Sequence, residues 1–237
     1  MNEMALKESS AAFLDYLDTW LAHLPSTNLS TVITHPAHTA LLCVDVTNGF
    51  CTNGPLSSPR VQGIVLPITR LFEQAHALGV RHFLLPQDTH DPQAVEFSQY
   101  PPHCVRGDVQ SQTVPELMGL PFASEYVVME KNSISSSENT ALNAWLDVHP
   151  QVNTFIVTGD CTDLCTYQLA MHLRLRAYAR QMPDVRVIVP ANCAQTYDTP
   201  MEAAARLGIL PHPGDLLHAT FLYNMSANGV EVYSHLA

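Results

Sequence analysis

Five short apolar-rich runs, each separated from the next by a longer stretch of helical spacing, constrain this 237-residue chain more than any other feature. They occupy 39–45 (TALLCVD), 80–86 (VRHFLLP), 125–130 (EYVVME), 153–159 (NTFIVTG) and 184–190 (DVRVIVP). Several are apolar at nearly every position, the pattern of strands covered on both faces. Between them, 61–78, 138–147, 163–180 and 199–208 read as helices, with Gly79 and Gly208 placed as C-terminal stops. A further helix is expected from Asp215 to just before Gly229, followed by a short strand at 230–233. Regular alternation of this kind predicts an α/β protein, a three-layer Rossmann-like fold whose mostly parallel central sheet carries helices on both faces.

Two regions fall outside the rhythm. Residues 1–38 are expected to form an extension: a helix over 10–24 with Phe13, Leu17, Trp20, Leu21 and Leu24 on one stripe, then a polar linker over 25–38. The second domain boundary is thus placed at 39, with the main domain running over 39–237. An exposed-looking Trp20 would suit a subunit contact, and a homo-oligomer is expected. The other irregular region, 87–124, is rich in Pro, Gln, His and Asp, and structureless insertions of that length are usually functional.

Composition narrows the partners. With 46% hydrophobic and 14% charged residues the chain has material for a sizeable core, which excludes intrinsic disorder. Eleven Lys+Arg against 22 Asp+Glu give a net charge of −11, which repels phosphate backbones and anionic lipid. No nucleic acid and no membrane partner is expected, and a small molecule is. Without a basic, apolar leader pattern or a run of roughly 18 apolar residues, the expectation is a cytoplasmic protein. Its six cysteines then read as buried or reactive thiols rather than as a disulfide scaffold.

In open α/β sheets ligands bind at the carboxyl ends of the strands. There the sequence offers Asp45, then Asp88 with His90, then Lys131, then Cys161 and Cys165. Any one of these alone would be a solvated loop residue; together they mark a site. Cys43, Cys104 and Cys193 lie in or beside apolar runs and read as structural.

These residues carry a resemblance. Gly159-Asp160-Cys161-Thr162-Asp163-Leu164-Cys165 resembles the G-x-x-T-D-x-C loop of the isochorismatase-like cysteine hydrolases. Val44-Asp45-Val46-Thr47-Asn48-Gly49-Phe50 resembles their D-x-Q-N-x-F strand end, and Glu130-Lys131-Asn132-Ser133 supplies their lysine. The resemblance implies Cys165 as nucleophile, Asp45 as general base and Lys131 as third member of a triad. It also implies an oxyanion hole from the Cys161 and Cys165 amides, with a cis peptide bond between Asp160 and Cys161. A helix start near Asp163 and a nearby ammonium would favour the Cys165 thiolate. Asp160 stands where relatives carry small or apolar residues, and its carboxyl could influence substrate choice or simply point outward.

Gln87-Asp88-Thr89-His90, followed by Tyr100-Pro101-Pro102-His103-Cys104-Val105, resembles the D-x-H…H metal site of the family's nicotinamidase branch. That implies one divalent ion on Asp88, His90 and His103, zinc first, with iron or manganese equally compatible with a carboxylate and two imidazoles. Glu96 is a further candidate ligand. By the same resemblance the metal orients a pyridine nitrogen, and Phe50 and Tyr100 sandwich the ring. Thr47 in place of Gln, and Ser135-Ser136-Ser137 in place of an aromatic, depart from that pattern. The leading expectation is a metal-containing amidase converting nicotinamide or a close carboxamide to the acid and ammonia through a thioester. The alternatives are a ureido or maleamate-type amide hydrolase with the same triad, and a non-catalytic scaffold of the same fold.

Overall fold

The computed structural model describes residues 6–237; residues 1–5 of the expected extension lie outside the described residues. Six strands form one parallel sheet in the order β3-β2-β1-β4-β5-β7: β1 (Thr39–Val44), β2 (His82–Asp88), β3 (Tyr126–Lys131), β4 (Thr154–Asp160), β5 (Arg186–Pro190) and β7 (Glu231–Tyr233). A two-residue strand, β6 (Ala194–Gln195), adds to the end of β4. No sequence period marks β6, because two residues are too few to show one.

Side chains alternate across the sheet, as the two-residue period of a strand requires. Leu41, Cys43, Phe83, Leu85, Ile156 and Ile188 enter one core, beneath α2 (Val65–Ala77). Ala40, Leu42, Val44, Leu84, Phe155, Val157, Val187 and Val189 enter the other, beneath α3 (Leu142–Val148), α4 (Cys165–Ala179) and α6 (Gly214–Ala227). A short α5 (Met201–Leu207) precedes α6, and the N-terminal helix α1 (Leu6–Ala22) packs on α6. The three layers expected from the sequence are therefore present.

The differences are local. The stretch read as one helix over 61–78 is divided into Pro59–Gln62 and α2, with Gly63 capping the first turn. Trp20 is not an exposed side chain: with Phe13 and Tyr16 it packs edge-on against Tyr223 of α6, at 5.5 Å between ring centroids. Residues 25–38 hold more structure than a polar linker, because Leu29, Val32 and Ile33 are buried in the first core. Backbone bonds from Ser234, Thr27 and Ala237 also lace this stretch to the C-terminal residues. Among the described residues no helix is long and apolar enough to cross a membrane.

Candidate active site and metal centre

Strand register assembles the first group of side chains. Asp88 and Lys131 are directly paired at the ends of β2 and β3, and Val44 is paired with Gly159 across β1 and β4. At Gly159, φ is +118° and an added Cβ would lie 2.0 Å from the Val44 carbonyl, so only glycine lets the two strand ends approach. Asp45 follows β1 with a left-handed φ of 56°, a conformation aspartate tolerates better than most residues. That turn sends its carboxyl toward β2, where Oδ1 accepts the Asp88 N–H at 2.7 Å.

Lys131 lies at the centre of the group. Its buried Nζ is 2.8 Å from Asp45 Oδ2, 2.5 Å from Asp88 Oδ1 and 3.6 Å from Cys165 Sγ, and it donates to the Ser133 carbonyl at 3.1 Å. Asp45 Oδ2 meets Nζ out of hydrogen-bond alignment, so that oxygen retains capacity to accept a proton. Burial would discharge the lysine, but Asp45 and Asp88 hold its pKa well above the ordinary value. Burial and the neighbouring Asp88 push Asp45 up to about 6 against the opposing pull of Lys131.

Cys165 opens α4, as a helix start should, yet its thiol is not the resting thiolate that a helix start and an ammonium would favour. Burial pushes its pKa well above the usual thiol value, and the pull of Lys131 does not overcome burial combined with Asp45 and Asp88. A neutral thiol beside a carboxylate of raised pKa is therefore the resting arrangement.

The peptide bond between Asp160 and Cys161 is cis. In the loop that follows, the Thr162, Leu164 and Thr166 amides donate to the carbonyls of Gln195, Cys161 and Cys161. Among the described residues the amides of Cys161 and Cys165 make no such backbone bond. Asp160 does not point outward: it is buried, its Oδ1 has no hydrogen-bond partner among the described residues, and burial raises its pKa well above the carboxylate range. Cys43, Cys51, Cys104 and Cys193 are free and buried as well.

The second group comes from the insertion. His90 and Val105 form a short parallel bridge, in which the His90 amide donates to Cys104 and the Arg106 amide to His90. This folds His103 back onto Asp88. Asp88 Oδ2 lies 3.4 Å from His90 Nε2 and 3.5 Å from His103 Nε2, and a Glu96 oxygen is 3.9 Å from His90 Nε2. One ligand atom from each of these four residues fits within a 4.8 Å cluster.

The donor set suits a divalent cation. Two metal–ligand bonds of about 2.1 Å at a tetrahedral angle separate their ligand atoms by roughly 3.4 Å, the spacing seen around Asp88. His90 Nδ1 is 3.0 Å from Asn132 Oδ1 and His103 Nδ1 is 2.8 Å from the Pro101 carbonyl, so both imidazoles have a proton fixed on Nδ1 and a lone pair on Nε2. His90 Nε2 is buried with no hydrogen-bond partner among the described residues, a cost a ligated cation would remove. Burial would raise the Asp88 pKa, but the Lys131 ammonium holds it below the carboxylate range.

Phe50 and Tyr100 both flank His103, at ring-centroid distances of 5.5 and 6.3 Å. Phe97 packs against both imidazoles, at 5.2 and 5.7 Å. Neither Phe97 nor the Asn132 anchor was assigned a part from the sequence. Asn132 directly follows Lys131 in the chain, whereas Phe97 carries no sequence signal beyond being aromatic. Thr47, in the place of the expected Gln, is buried with Oγ1 3.7 Å from Cys104 Sγ, and Ser135 and Ser137 bond to one another.

With strand-end carboxylates, a lysine and a thiol beside a histidine-rich cluster, this is the layout of a hydrolase of the isochorismatase-like class. Residues 39–232 match the isochorismatase domain, and the chain belongs to that family. It is 29% identical over 227 positions to Nicotinamidase 1 of Arabidopsis thaliana, an alignment covering 87% of this chain and 89% of that protein. Its fold is shared by a nicotinamidase from Bacillus subtilis (TM-score 0.63, 22% identity, 83% of this chain and 99% of that one). It is shared too by a Pyrococcus horikoshii pyrazinamidase in complex with zinc (TM-score 0.63, 18% identity, 82% and 98%). N-carbamoylsarcosine amidase from Thermoplasma acidophilum is similar as well (TM-score 0.61, 21% identity, 82% and 95%).

Proposed function

We propose that this protein is a metal-containing cysteine amidohydrolase that converts nicotinamide, or a close ring carboxamide, to the acid and ammonia. The observation that carries the reading is Lys131, which joins the Asp45–Cys165 pair to the Asp88 cluster within 3.6 Å of all three groups. A reacting carbonyl and an anchoring point for a ring are thereby held side by side.

Asp45 takes the Cys165 proton as sulfur attacks the amide carbonyl, and a C–S bond forms. The amides of Cys161 and Cys165 receive the developing oxyanion. Asp45 then returns the proton to the leaving nitrogen, the C–N bond breaks and ammonia departs. Water, deprotonated by Asp45, cleaves the thioester; the acid leaves and the thiol regains its proton. Lys131 stays charged throughout, and an Asp45 pKa of about 6 suits a group that must both accept and donate near neutrality. Asp88, His90 and His103, with Glu96, would hold a divalent ion, whose part when bound is to engage the ring nitrogen and orient the substrate. Phe50 and Tyr100 pack on the ring.

The test is ammonia release from nicotinamide, pyrazinamide, maleamate and biuret by protein of measured metal content. The expected result is preference for the two ring amides with about one ion per chain. Faster turnover of maleamate or biuret by fully chelated protein would replace this reading with the open-chain one.

A further inference from the structure

Behind the 161–165 loop lies a segment the mechanism above does not use. Asp163, two residues before Cys165, has a side chain only 5% exposed. Its Oδ1 accepts the Thr196 hydroxyl at 2.6 Å, and its Oδ2 lies 2.8 Å from His212 Nε2. The other His212 nitrogen, Nδ1, lies 3.0 Å from the Tyr197 carbonyl. A carboxylate only accepts, so the Asp163 contact is the one that calls for an N–H on Nε2.

The imidazole is itself held firmly. It stacks on the Tyr197 ring at 3.7 Å with 17° between planes. The backbone of His212 exchanges two hydrogen bonds with Thr199 in an antiparallel bridge. Burial would raise the Asp163 pKa, but the bonds from His212 and Thr196 lower it, so the loop carboxylate is charged and tied to a fixed point.

We propose that His212 is a positioning residue of this site: through Asp163 it sets the loop geometry that brings Cys165 Sγ and the Cys161 and Cys165 amides around one carbonyl. This rests on the amide-hydrolase reading for its chemistry, though not for its geometry. His212 acts through Asp163, and the contact that matters is the Nε2 one. His212→Gln keeps a donor at that position and His212→Asn keeps one only near Nδ1, so the two variants separate the contacts.

The experiment compares metal-loaded full-length wild type, His212→Ala, His212→Gln and His212→Asn by nicotinamide kinetics and by hydrogen exchange of the 161–166 amides. A misplacement near 1 Å costs on the order of 100-fold in rate, so His212→Ala and His212→Asn should lose roughly 10–100-fold in kcat with KM and metal content little changed. Exchange should quicken in the 161–166 loop alone, and His212→Gln should recover most of both. Wild-type kcat in His212→Ala overturns the proposal. So does equal impairment of the Gln and Asn variants with a general fall in melting temperature, which would make His212 merely structural. If the wild type releases no ammonia from any carboxamide, the functional reading fails and the exchange data decide alone. Loop-confined loosening in the Asn but not the Gln variant then upholds the positioning role, and unchanged exchange overturns it.

Discussion

The Asp45–Lys131–Cys165 group rides on strand ends and a helix start, whereas His90, Glu96 and His103 of the neighbouring cluster sit on the irregular stretch between β2 and β3. In the first, β-ladder register places the residues: Asp88 opposite Lys131, and Val44 opposite Gly159. In the second, a few local bonds do so: the His90 amide donates to Cys104 and the Arg106 amide to His90, while Asn132 Oδ1 and the Pro101 carbonyl accept from the rings. Many cooperating ladder bonds hold a geometry that no single contact decides, while a cluster held by single bonds depends on each of them. The reaction groups should therefore keep their arrangement when the ring-anchoring groups are disturbed.

The largest effect separates the two thiols of the loop. Cys165→Ala should lower ammonia release by on the order of 10³-fold or more with an unchanged melting temperature. Cys161→Ala should keep most of the activity, because only its backbone amide is required. Equal loss in steady-state assays of the two variants would erase the distinction between nucleophile and oxyanion donor.

Next comes the cluster. His103→Ala should lose bound metal, read by elemental analysis, and with it nicotinamide turnover. Iodoacetamide should still label Cys165 near the wild-type rate, since proton transfer there involves Asp45 and Lys131. Labelling that falls in parallel with metal content would mean the two groups are one. A smaller loss is expected from Asn132→Ala, which frees the His90 ring without removing a ligand: metal affinity should drop about 10–100-fold, measured by competition with a chelator.

The same contrast explains what could be read in the sequence. Continuous apolar runs such as 39–45 and 153–159 report burial on both faces, so the sheet and its strand-end residues were visible in advance. Asp45, Lys131 and Cys165 each lie at an element boundary, where sequence pattern and position in the fold coincide. The insertion yielded its ligand types but not their support, because the partners of His90 and His103 are an amide 42 residues away and a main-chain carbonyl. The Asp163–His212 contact, spanning 49 residues, was invisible for the same reason. The expected thiolate failed on a quantity that no local pattern carries, the depth of burial around Cys165.

The smallest expected effect probes how far the two groups feel each other. Asp45 must be ionised to take the thiol proton, so kcat/KM should rise with pH through about 6 and level off above it. Folding has its own response: because the folded pKa is raised, the stability Asp45 contributes is full below its unfolded value and is lost as pH climbs through about 6. After burial, the cause of the raised value is the charge on Asp88, which belongs to the other cluster. A cation bound there offsets that charge and lowers the Asp45 pKa, so the acid limb should lie at lower pH in metal-loaded protein than in chelated protein. The displacement should be under about one pH unit, equivalent to about 1.4 kcal/mol. Benzamide is the substrate for this comparison: it has no ring nitrogen, so its slow turnover is expected to survive chelation. Coincident limbs in the two forms would show that Lys131 screens the clusters from each other completely, and a limb that moves upward on metal loading would reverse the assigned electrostatics.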